Sequence, residues 1–181
     1  MSKHPVFVDG YAGTNEDLAK DICNMSYYRI KEFMKKFAND IIDQSMDEAA
    51  GHPKLSQNLE IIARELLSTE TTIGYIFNSD PHSLTKQGKS YYVEGYSDSL
   101  DQLAISVGNM SYDMVADFIG NIADYFKIKA QTLEKKPLIG FEISSDLSSA
   151  AISLTNAQEL INNTWNNYCK DQTEKIDRTT K

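Results

Sequence analysis

The chain has 181 residues, a net charge of −8 and a charged fraction of 24%, which suits one folded domain with a sizeable core and excludes a wholly disordered chain. That acidity argues against a nucleic-acid surface, which needs clustered Lys and Arg to displace counterions. It equally disfavours an anionic membrane, and it is compatible with a basic protein partner.

The two cysteines, Cys23 and Cys169, follow no CxxC or Cys/His spacing, so no metal site and no cofactor are expected. The N-terminal MSKHPVFVDGYAG has no apolar h-region and no run approaches membrane-spanning length, which predicts a cytoplasmic protein.

In chain order, the first segment is an extended lead-in, PVFVDGY (5–11), followed by Thr14-Asn-Glu-Asp17. A hydroxyl followed three residues later by a carboxylate is a capping box, so a helix is predicted to start there. Its apolar stripe runs 19, 22, 26, 30, 33, 37 and 41, the 3–4 spacing of a core-facing seam, and implies one long helix. Ser45-Met-Asp-Glu48 reads as a second capping box that starts a short new helix. After Gly51-His52-Pro53 a further helix carries Leu55, Leu59, Ile62, Leu66, Thr69, Ile73 and Ile76, with proline in its first turn. The polar connector 79–90 reads as a surface loop.

The pattern then starts again. Residues 6–38 lie on 91–123 without a gap at a shift of 85, with 11 of 33 positions identical, where roughly two would match by chance. Among the identities are Gly10/Gly95, Tyr11/Tyr96, Phe33/Phe118 and the whole run Asn24-Met-Ser-Tyr27 on Asn109-Met-Ser-Tyr112. Residues 59–78 match 147–166 at a shift of 88, with Phe77 on Trp165. The counterpart of the last helix is predicted from about Asp146 to Tyr168.

These signals predict an all-α protein, a four-helix bundle built from two tandem αα-hairpin repeats (6–78 and 91–168) in a single domain over 1–181. A small two-stranded ribbon would pair KSYYVEGY (89–96) with PVFVDGY. Residues 170–181 have no apolar face and read as a flexible tail.

Two clusters are candidate sites. Asn24, Ser26, Tyr27, Asn109, Ser111 and Tyr112 would edge a ligand pocket near a pseudo-twofold axis, with both serines buried on the stripe. The alternative is that the motif packs the bundle and its hydroxyls bond back to carbonyls one turn earlier. The lead-in aromatics Phe7, Tyr11, Tyr91, Tyr92 and Tyr96 suit a partner surface and equally suit capping the open end of a bundle. Asp40, Asp43 and Asp47 share a helix face, as metal ligands would, but unit two has Tyr125, Ile128 and Thr132 there; a solvated acidic face is the simpler reading. No Ser or Cys nucleophile has a local His partner.

The expected function is a non-enzymatic protein-binding or regulatory module of immunity, chaperone or adaptor type. The alternative is a small-molecule-binding helical bundle. A protein partner of basic character is expected, without nucleic acid or membrane, and a homo-oligomer is left open.

Overall fold

The computed structural model describes Val8, residues 10–79, Val93, Tyr96, residues 99–135 and residues 139–179. The described residues form six helices and no strand: α1 (Asn15–Cys23), α2 (Tyr27–Glu48), α3 (Pro53–Ser79), α4 (Leu100–Gly108), α5 (Tyr112–Glu134) and α6 (Ile139–Thr179).

Start signals act where the residues place them. Thr14 accepts from the Asp17 amide and the Asp17 carboxylate accepts from the Thr14 amide, completing the capping box of α1. Ser99 caps α4 through the Gln102 amide. Pro53 is the first residue of α3, where its missing N–H is one of the orphan donors in any case.

The long first helix expected in each unit is broken. Asn24 ends α1 in the αR region, Met25 donates back to the Ile22 carbonyl at 3.0 Å, and Ser26 turns to extended backbone (φ −62°, ψ 150°). Ser111 turns the same way (φ −60°, ψ 147°) after Asn109 ends α4. Ser26 and Ser111 are therefore first-turn caps and half-buried, not buried members of a continuous stripe. Met25 and Met110 sit at the bends and are buried.

Two further expectations are corrected, and a third is left largely outside the described residues. The Ser45 box starts nothing: α2 runs through to Glu48, and Ser45 is buried with its hydroxyl on the Ser56 carbonyl at 3.0 Å. The last helix begins at Ile139, well before Asp146. The ribbon falls mostly on residues outside those described, and no strand occurs among the described residues. Tyr11 N donates to Val8 O at 3.2 Å and Tyr96 N to Val93 O at 3.1 Å, with Gly10 at φ +78°, a conformation glycine adopts without a Cβ penalty.

Packing is reciprocal. α2 lies on α3, α5 on α6, and α3 on α6. The short helices cross over: α1, which precedes α2, packs on α5, and α4, which precedes α5, packs on α2. The core between them is aromatic. The rings of Phe33, Phe37 and Phe118 meet at 5.8, 6.1 and 6.2 Å centroid separations, and all three are fully buried with Phe126. Burying each such ring is worth roughly 1.5–3 kcal/mol of transfer free energy. Asn58 pairs with Thr164 and Ser68 with Ser153, so α3 and α6 run antiparallel.

Candidate functional site

Of the residues expected to line a ligand pocket, the structure brings each trio to one bend. Asn24 and Asn109 are exposed C-caps; Ser26 accepts from the Arg29 amide at 3.4 Å, whereas Ser111 makes no side-chain cap bond. Tyr27 is buried, and Tyr112 is half-buried with its ring 5.7 Å from that of Trp165.

Each bend delivers the C-terminus of a short helix to a long helix from the other half of the chain, α1 to α5 and α4 to α2. At the first, Lys129 of α5 donates to the Cys23 carbonyl at 3.5 Å and lies 4.5 Å above the centre of the Tyr27 ring. At the second, Gln44 of α2 donates to the Gly108 carbonyl at 2.9 Å and to Asp40 Oδ2 at 2.9 Å. Under the 85-residue shift Cys23 corresponds to Gly108 and Gln44 to Lys129. Equivalent donors thus satisfy equivalent helix-end carbonyls, groups that otherwise lack partners.

The electrostatics of the two ends differ. Burial pushes the Cys23 thiol up to about 12, against a smaller opposing pull from Lys129, so the thiolate needed for nucleophilic chemistry is disfavoured. Burial also lowers the Lys129 ammonium from its usual range. Asp40 is half-buried, and desolvation raises its carboxyl above the usual value, reinforced by Asp43 and opposed by the Gln44 hydrogen bond. A Cβ on Gly108 would overlap Asp40 Oδ2. Asp43 and Asp47 are exposed, and no cluster of three or more His, Cys, Asp or Glu suited to a metal occurs among the described residues.

A cavity of about 350 Å³ lies between α2, α4 and the second lead-in, walled by Met25, Arg29, Lys36, Tyr96 and Leu103 among others. Its cations are matched by acids: Arg29 pairs with Glu32 at 2.8 Å and Lys36 pairs with Asp101.

Of the lead-in aromatics, Tyr11 is half-buried with its hydroxyl on Asp21 Oδ2 at 2.8 Å, and Tyr96 is 8% exposed. Phe7, Tyr91 and Tyr92 lie outside the described residues.

Reasoning from the sequence passed over the outer faces of α3 and α6. Between Ser144 and Asn167, α6 carries two charged side chains, Asp146 and Glu159, whereas the 22 residues of α2 carry nine. The hydroxyls of Ser148, Ser149, Thr155, Thr71 and Thr72 donate to carbonyls of their own helix four residues earlier. Among them stand Ile152 and Tyr75, each 61% exposed, and Phe141 and Ile61. A charge count per predicted helix would have found the α6 part of this surface; on α3 the exposed Glu60–Arg64 pair flanks Ile61. Among the described residues no helix is long and apolar enough to cross a membrane.

Comparison with known proteins finds no matching family model, no similar curated protein and no similar solved structure.

Proposed function

We propose that this chain is a non-enzymatic protein-binding or regulatory module, built as a duplicated four-helix bundle whose short leading helices are exchanged between the repeats. The duplication draws support from the matched caps, the matched bends and the contact of Phe33 with Phe118, which correspond under the 85-residue shift. Residues related by a twofold axis touch each other only near that axis.

The binding reading rests on the outer face of α3 and α6. Interface cores are depleted of charge and carry apolar or aromatic anchors. Hydroxyls already bonded to their own helix carbonyls lose little when water leaves, so this face is cheap to desolvate. Ile61, Ser68 and Tyr75 recur every seven residues along α3 and so share a face, with Ser153 bonded to Ser68 bringing α6 alongside. The net charge of −8 would steer a basic partner toward the chain, and the exposed Glu60–Arg64 pair of α3 and Glu159 of α6 stand beside the apolar anchors as a polar rim.

The test is affinity purification from the native host with Ile61→Lys/Ile152→Lys against wild type and Met46→Lys. We expect the double variant, folded by circular dichroism, to lose a partner that wild type and Met46→Lys both retain. Retention by the double variant overturns the α3–α6 reading. The cavity walled by Met25 and Tyr96 favours the small-molecule alternative; a ligand co-purifying with wild type and lost from Leu103→Trp would establish it.

A further inference from the structure

The two short helices hold to their partners by equivalent contacts of unequal quality. α1 begins with a complete capping box, while α4 begins with one cap bond from Ser99. The bend after α1 is capped by Ser26, while Ser111 makes no such bond after α4. Each cap bond satisfies a helix-end amide that otherwise has no partner in the helix.

The C-terminal ends differ in the same sense. The Cys23 carbonyl accepts from Lys129, and an amine donates there in either protonation state. The Gly108 carbonyl accepts from a Gln44 amide that also serves Asp40, and the Asp40 carboxylate stands where a Gly108 Cβ would be. A negative group at the C-terminus of a helix opposes its dipole. Against this, α4 has the ion pair from Lys36 to Asp101, whose side chains are 37% and 58% exposed; pairs so exposed contribute little.

We propose that α4 is a releasable strap: it undocks from α2 while α1 stays docked on α5, and its departure opens the cavity that it walls. Leu103, Ala104 and Val107, buried in the docked state, then become exposed. The cavity loses the wall formed by Leu100, Asp101 and Leu103, so access to it is gated by one short helix.

Hydrogen exchange of the full chain at pH 7, read by mass spectrometry and corrected for intrinsic rates, tests this. The amides of residues 100–108 are expected to exchange at least about tenfold faster than those of 15–23, the ratio that about 1.4 kcal/mol produces. Asp40→Asn removes the carboxylate charge facing α4 and should slow 100–108 while leaving 15–23 unchanged. Thr14→Ala, which breaks the α1 box, should bring 15–23 towards the α4 rate. Equal protection of the two helices in the wild type overturns the proposal. So does an Asp40→Asn chain in which α4 exchange is unaltered.

Discussion

At the first bend a helix end meets a lysine held over a tyrosine ring; at the second, the corresponding helix end meets a glutamine shared with a carboxylate. The donor position is the same in both, Lys129 and Gln44, and so is the acceptor, the last carbonyl of a nine-residue helix. What differs is the filling beside it. The first bend has a Cys23 side chain; the second has no side chain at Gly108, and Asp40, whose counterpart under the 85-residue shift is Tyr125, takes up the space. The lesson is one of coupling: Gly108 and Asp40, far apart in sequence, share one space, so a change at either is felt at the other.

The comparison breaks most visibly in the shared core, where it predicts equality. Phe33→Ala and Phe118→Ala remove matched rings that touch each other, and each should cost about 3–5 kcal/mol in chemical denaturation. The double variant should cost less than the sum, because the first truncation already removes part of what the second would lose. Additive losses would place the two rings in independent environments and would count against an axis between them.

The next effect separates the bends. Gly108→Ala drives a methyl into Asp40 and should destabilise by about 1–3 kcal/mol, the usual scale of overpacking. Combining it with Asp40→Ala should recover most of that loss. Cys23→Ala, at the matching position, removes a buried thiol without intrusion and should cost less. A Gly108→Ala chain as stable as the wild type would mean that Asp40 can leave its place freely.

Titration sharpens the same contrast. Burial raises the Asp40 carboxyl above its ordinary value in the folded state, so the folded chain holds that proton more tightly than the unfolded chain. The resulting contribution is fully present below the ordinary aspartate range and is lost as pH rises through the folded value. Asp40→Asn should therefore gain stability over wild type at pH 7. The gap should close as pH falls below the usual carboxylate range, which denaturant midpoints across pH would reveal. Asp146, also raised by burial, should shift the profile of both chains alike.

Much of the fold was legible because its signals are local. Thr14, Ser99 and Pro53 announce helix starts through side-chain and ring geometry, and the stripes through Phe33 and Phe118 mark the buried seams. The bends were hidden by their own geometry. Asn24 and Ser26 are both good capping residues, but the three-residue joint keeps Ile22 and Ile30 in phase with the stripe. An unbroken helix and a bent one thus show the same periodicity. The crossing of α1 onto α5 has no periodic signature, since it is set by contacts about a hundred residues apart, such as Cys23 with Lys129. Of the candidate pocket residues, Ser26 and Ser111 lie on the stripe and would face the axis of an unbroken helix; once each helix bends there, that reason disappears for both serines. The α3–α6 face has no signature in periodicity, because what distinguishes it is the bonding of its serine and threonine hydroxyls to carbonyls of their own helix, which only the folded helix displays.

The smallest expected effect is the most discriminating. Ser26 and Ser111 are identical residues at matched positions with nearly the same backbone angles, yet only Ser26 accepts from the amide three residues on. That bond is long, at 3.4 Å, so Ser26→Ala should cost about 0.5–1 kcal/mol, the lower part of the range for losing a cap. Ser111→Ala removes a hydroxyl with no cap bond and should stay within about 0.5 kcal/mol of wild type. Both variants keep the bend, because the extended backbone at these positions needs no side-chain bond. Denaturant midpoints for the two alanine variants, measured side by side, decide the matter. Equal losses would mean that Ser111 caps α5 in solution and that the two bends differ only at their crossed ends, Lys129 against Gln44 and Asp40.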